Sequence, residues 1–261
     1  MVNKDLFIHS KDDMFFESLK ENLVLKKEME DYYINFIEKK SIPDLLGKTV
    51  KITDKQFSKV YRFIKDICAE LEIENVDAYV YEDFYYGVES KGISKPWLEI
   101  SAKTIEDFSN EELKFLIGKE LYNIKFENTY YSLLMTRCIE NFKMIKLPGS
   151  DITEEGFKFA LYKWHRVMNF SSDNFGFIAS GSLKASINSI LLTILNNKTL
   201  VKNLNINEYI KQASEIGNLD DEIYNNTKLD ELMPYGPYRV KNLIAYASSM
   251  RSKQAKVQMN F

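Results

Sequence analysis

Apolar residues recur at spacings of three and four along most of this chain, and the period changes in only one short stretch. That pattern commits the chain to a mainly helical fold with a small sheet set among the helices. In "DMFFESLKENLVLKKEMEDYYINFIEKK", from Asp13 to Lys40, and in "KQFSKVYRFIKDICAELEI", from Lys55 to Ile73, charged positions separate an apolar stripe. Both read as surface helices packed on a common core. Between 76 and 101 the runs "VDAYVYED" and "PWLEIS" are short and rich in Val, Ile, Tyr and Trp, with Gly87, Gly92 and Pro96 between them. Two or three short strands are expected there. From Ser109 the pattern returns to helix, broken at Pro148-Gly149, near Gly217 and from Pro234 to Pro237. One α+β domain over 1–261 accommodates all of this: N-terminal helices in 1–75, the small sheet in 76–101 and a helical part in 109–261.

Charge narrows the function classes. The 261 residues hold 35 basic and 38 acidic side chains, a formal charge of −3, scattered without a basic stripe. No nucleic-acid partner is expected. Cys68 and Cys138 both lie in apolar, helix-like runs, which reads as buried free thiols in a reducing compartment. "MVNKDLFIHSKDDMFF" has charges interrupting each apolar run, unlike a signal peptide, and "SILLTIL" is too short to span a bilayer. A cytoplasmic protein without a membrane span is the expectation.

One helix carries an anomaly. "SNEE", Ser109 to Glu112, has the capping-box form, so a helix starts there with a stripe of Leu113, Leu116, Ile117, Leu121 and Ile124. Glu120 falls three residues after Ile117 and four before Ile124, inside that stripe. A carboxylate facing a core costs several kcal/mol unless it is compensated. It reads either as an edge residue paired with a cation or as a catalytic or binding carboxylate in a cleft.

The segment around it, "IGKELYN", resembles the I-G-H-E-L-G-H motif of the soluble HtpX and CAAX-prenyl-protease family of zinc metallopeptidases, which are gluzincins with a zincin fold. The resemblance continues through "PWLEISAKTIEDFSNEEL" and through "LYKWHRVMNFSSDNFGFIAS", which is similar to W-x-R-x-x-E-x-x-A-D-R-x-G with Trp164, Arg166, Asp173 and Gly176 in place. Ser172 and Asn174 depart from the residues that flank the Asp. "MPYGPYRVKNLIAYA" is similar to H-P-x-x-x-x-R-x-x-x-L through Pro234, Arg239 and Leu243, with Met233 at the His position. "FIHSKDDMFFESLK" is also like the start of family members.

The resemblance implies zinc-dependent endopeptidase chemistry, with three protein ligands and Glu120 as general base for a metal-bound water. The ligand positions here hold Lys119, Asn123 and Asn169. A protonated amine is no ligand, and amide oxygens are poor ones for zinc, so the chain reads as a pseudoprotease with no metal or other cofactor expected. His9 and His165 are its two histidines, and His165 reads as a partly exposed helix residue. Lys119 is expected near the vacated metal position, paired with Glu120 or Asp173; Arg166, Asp173, Tyr122, Met233 and Arg239 are expected around the old cleft.

Three functions follow from the resemblance. The first is a binding or regulatory module that holds a peptide or protein along the edge strand in 84–100, with "YEDFYYG", Tyr81 to Gly87, supplying aromatic anchors. The second is a metal-dependent or altered-chemistry peptidase or hydrolase that uses Glu120 with Lys119 or Asp173 in a metal-free or non-zinc site. The third is a structural subunit whose cleft is plugged by Tyr122, which stands where the family commonly has Gly, and by Met233.

Overall fold

The computed structural model describes residues 2–21, 26–140, 154–218 and 232–259. After a 3₁₀ turn at Lys4–Leu6 come α1 (Asp12–Glu21), α2 (Lys26–Tyr32), a π-helical stretch Tyr33–Glu38 and α3 (Lys39–Lys48). Next are β1 (Val50–Lys51), α4 (Ser58–Glu70), β2 (Asp77–Tyr81), β3 (Val88–Lys91) and β4 (Trp97–Ser101). The chain continues with α5 (Ala102–Asp107), α6 (Asn110–Lys125), α7 (Asn128–Glu140), α8 (Glu154–Ser180) and α9 (Leu183–Leu195). It closes with α10 (Lys198–Lys202), α11 (Ile206–Asn218), α12 (Gly236–Ala247) and α13 (Met250–Gln258). The protein is mostly helical with a small mixed sheet, an α+β arrangement.

The sheet has four strands in the order β1-β2-β4-β3. Three of them lie in the 76–101 window; β1, two residues long, is outside it and too short to show a period. β2 and β4 run parallel, while β1 and β3 are antiparallel to their neighbours. β3 is therefore an edge, with Val88 opposite Ile100 and Lys91 opposite Trp97. Gly92 turns the chain out of β3 at φ +79°, and a Cβ there would meet the Trp97 ring at 2.3 Å. Glu38 anchors the same turn, accepting from the N–H of Ile93 and Ser94 and from Ser94 Oγ. The N-terminal helices are thereby tied to the end of β3.

The helix from Ser109 starts as its sequence dictates. Ser109 Oγ accepts from the Glu112 N–H, and the Glu112 carboxylate accepts from the Ser109 N–H. α6 and α8 then pack closely through opposed glycines. A Cβ on Gly118 would lie 2.7 Å from Ala179 Cβ, and one on Gly176 would lie 2.7 Å from the Phe115 carbonyl oxygen. That approach brings Lys119, the residue after Gly118, against Asp173 of α8. The N-terminus is latched to α8 as well: Asp12 accepts from Trp164 Nε1 and Ser171 Oγ, and Asn174 donates to the Phe7 carbonyl.

The break expected from Pro234 to Pro237 is present, with α12 opening on Gly236-Pro237, whereas Gly217 lies within α11 and the residues from 219 to 231 are outside the described ones. Pro148-Gly149 lies outside the described residues, as does the Cys138 side chain. Cys68 is a buried free thiol whose pKa is pushed up by burial to about 11. Among the described residues, no helix is long and apolar enough to cross a membrane.

Candidate functional site

β3, α6, α7, α8 and the π-helical stretch enclose a cleft of about 680 Å³. Residues 87 to 91 form one wall; Tyr33 and Ile37 contribute from the π-helical stretch, and Met233 and Arg239 from the C-terminal region. Lys119, Glu120, Asn123 and Asn169 all reach its surface, so the four motif positions converge. Asn128, Thr129, Ser132 and His165 complete a floor made mainly of hydroxyl and carboxamide groups.

Glu120 is only partly buried, at the rim of its stripe. Its Oε2 accepts from Ser90 Oγ at 2.7 Å and from the Ser90 N–H at 3.2 Å, with Asn123 Nδ2 at 3.5 Å. Ser90 Oγ also meets Thr129 Oγ1 at 2.7 Å. The groups that bond the carboxylate are thus neutral donors from the edge strand and its own helix, where a pairing cation was one of the expectations.

The cations gather instead on Asp173, which is fully buried. Arg239 grips it with Nε to Oδ2 and Nη2 to Oδ1, both at 2.8 Å. Lys119 Nζ lies 3.8 Å from Oδ1, a looser pairing. Burial lowers the Lys119 pKa, and the positive charge of Arg239 lowers it further, against the pull of Asp173 and Glu120. Burial opposes the charge on Arg239 too, but Asp173 overcomes it and raises that pKa. Lys119 is thus the strained cation of the pair and Arg239 the settled one.

These residues do not fit zinc. Asn123 Oδ1 accepts from Asn128 Nδ2 at 3.2 Å, and Asn169 Nδ2 donates to the His165 carbonyl at 2.8 Å, so both amides have other bonds. Lys119 and Arg239 already place two positive charges at this position, both turned to Asp173, and would repel a dication added there. Among the described residues, no three His, Cys, Asp or Glu side chains group to hold a metal ion.

Two expected site residues, Tyr122 and Arg166, sit elsewhere. Tyr122 does not plug the cleft. Its ring is fully buried in the core among Phe7, Phe126 and Phe175, where its hydroxyl has no hydrogen-bond partner among the described residues. Arg166 lies on the other side of α8 in a second groove, because it is one residue after His165 and a helix turns 100° per residue. Asp173 lies beneath the cleft surface, bonded on both oxygens, which removes it as a partner for acid–base work with Glu120. The opposite shift holds for His165: it lines the cleft, with Nε2 3.0 Å from Ser132 Oγ, and burial lowers its pKa to about 4. Its place one turn before Asn169 was the available signal for this; Ser90, Thr129 and Ser132 had none, being ordinary polar residues until strand and helices meet.

No family model, curated protein or solved structure matches the chain.

Proposed function

We propose that this chain is a metallopeptidase-like pseudoenzyme whose former metal centre is an ion-paired polar floor, and that it binds an extended segment of a peptide or protein along β3. The observation that carries this reading is that the edge strand β3 forms a wall of the 680 Å³ cleft that also exposes the degenerate motif. Strand addition draws its affinity from backbone hydrogen bonds and needs no metal. Hydroxyl and carboxamide groups on the floor, with both hydrogen-bonding senses, suit peptide amides. The cleft volume lies in the range of ligand-binding pockets.

Selection of a random short-peptide library on the immobilised full chain, followed by hydrogen exchange with the winning peptides, tests this proposal. The expected result is slowed exchange at the amides of Val88 to Lys91. Protection confined to other elements would refute it. Cleavage of a generic peptidase substrate that depends on added zinc would overturn the pseudoenzyme assignment.

A further inference from the structure

On the face of α8 turned away from the cleft, a second groove of about 660 Å³ runs between α1, α8 and α12. Its walls are apolar and aromatic, with Phe15, Phe170, Tyr235 and Tyr238 as the large surfaces. Lys11, Lys163, Arg166 and Lys241 border it, and among the described residues no carboxylate does. The three lysines alone concentrate positive charge at this rim in a chain whose formal charge is −3.

The cations are placed by the apolar walls. Lys163 Nζ sits 4.4 Å from the centroid of the Phe15 ring, a cation–π contact that holds the ammonium at the rim. His9 packs on Phe170 with ring centroids 5.4 Å apart. Its pKa is lowered, chiefly by burial and then by the charges of Lys11 and Arg251. Helical spacing separates the two faces: Lys163, Arg166, Val167 and Phe170 border the groove, while His165, Met168 and Asn169 line the cleft.

We propose that this groove docks an acidic segment of a partner protein, in which carboxylate side chains flank an aromatic or aliphatic residue. Complementary charge at the rim steers and orients such a segment, and the apolar walls receive its anchor. The docking surface shares only Met233 with the β3 cleft, and the proposal does not depend on what the cleft binds.

The test again selects a random short-peptide library on the full chain, now in parallel with the Lys163→Glu/Lys241→Glu variant. Both lysines are exposed, so the variant folds, and circular dichroism verifies it. Peptides with Asp or Glu around Phe, Tyr, Trp or Leu are expected, with affinity falling at least about tenfold in the variant, since the reversal sets like charges against the peptide. Fluorescence anisotropy of the best peptide should also weaken with salt and stay unchanged in Glu120→Ala, which alters the cleft alone. Selection without acidic enrichment, or equal binding to the double variant, overturns the proposal. So does anilinonaphthalene sulfonate that binds the groove and is not displaced by acidic peptides, which would assign the site to small organic anions.

Discussion

Asp173 has two cations beside it, and geometry decides which one holds it. Arg239 makes two bonds of 2.8 Å, whereas Lys119 stands 3.8 Å away. Replacing Arg239 by Met leaves a fully buried carboxylate with only the distant ammonium for compensation. Breaking a buried pair in this way costs about 3–5 kcal/mol. Replacing Lys119 by Met loses the weaker attraction but also removes a charge that burial and Arg239 disfavour. These effects offset one another, and the net change should stay within about 1 kcal/mol. At roughly 2–4 °C per kcal/mol for a chain of this size, Arg239→Met should melt roughly 6–20 °C lower and Lys119→Met within a few degrees of the parent.

Urea denaturation followed by circular dichroism gives both differences. Asp173→Asn in the Arg239→Met background should restore part of the loss, because the amide leaves no orphan charge. The pH dependence separates the two cations further. The Lys119 pKa in the folded chain is lowered from 10.5, so its unfavourable contribution is fully present below the folded value and fades as pH rises through it toward 10.5. The stability of wild type relative to Lys119→Met should therefore improve in alkali. A Lys119→Met variant that loses as much stability as Arg239→Met would refute the assignment and make Lys119 the cation that holds Asp173.

His165 should stay neutral down to about pH 4, whereas in the unfolded chain it protonates near 6.5. Stability should therefore fall as pH drops through that window, by about 2 kcal/mol between about pH 7 and about pH 5, and His165→Gln should remove that part of the slope in urea titrations. Gly176→Ala drives a Cβ to 2.7 Å from the Phe115 carbonyl and should cost about 1–3 kcal/mol in the same assay, despite the better helix propensity of Ala. Tyr122→Phe removes a buried hydroxyl without a described partner and should raise stability by about 1 kcal/mol. Glu120→Ala withdraws the acceptor from the Ser90 amide, whose hydrogen exchange should accelerate at least about tenfold, as expected for losing a bond to a charged acceptor.

Elements with a strong period or a local signal were legible in the chain. The capping box at Ser109 and Glu112 starts α6, and the β-rich window 76–101 holds three of the four strands. The placement of Lys119, Glu120, Asn123 and Asn169 on one cleft was legible through helix spacing and motif resemblance. The rest depended on contacts between residues distant in sequence. Ser90 reaches Glu120 across thirty positions, and the signal in a strand as short as β3 does not say which of its side chains face a helix. Arg166 and Tyr122 were misplaced because a motif resemblance does not specify a face: one residue of rotation moved Arg166 to the other groove, and an available aromatic pocket took Tyr122 into the core.

Glu120 therefore has a structural job that the resemblance of its segment to a zinc motif does not suggest. β3 is an edge strand, and in its register with β4 the Ser90 N–H points away from the sheet, where it bonds the carboxylate. An edge with open backbone groups invites pairing with any extended chain. Glu120 occupies one of those groups, so a segment that adds to β3 must either pair beside Ser90 or displace a carboxylate held by the Ser90 hydroxyl as well. The same contact keeps Glu120 solvated at the rim by neutral partners, which is why the helix tolerates an acid in its stripe without a metal or a paired cation. Affinity along β3 is then limited by how easily that carboxylate swings aside, and Glu120→Ala should strengthen binding of extended peptides at the cleft while leaving the groove beyond α8 untouched.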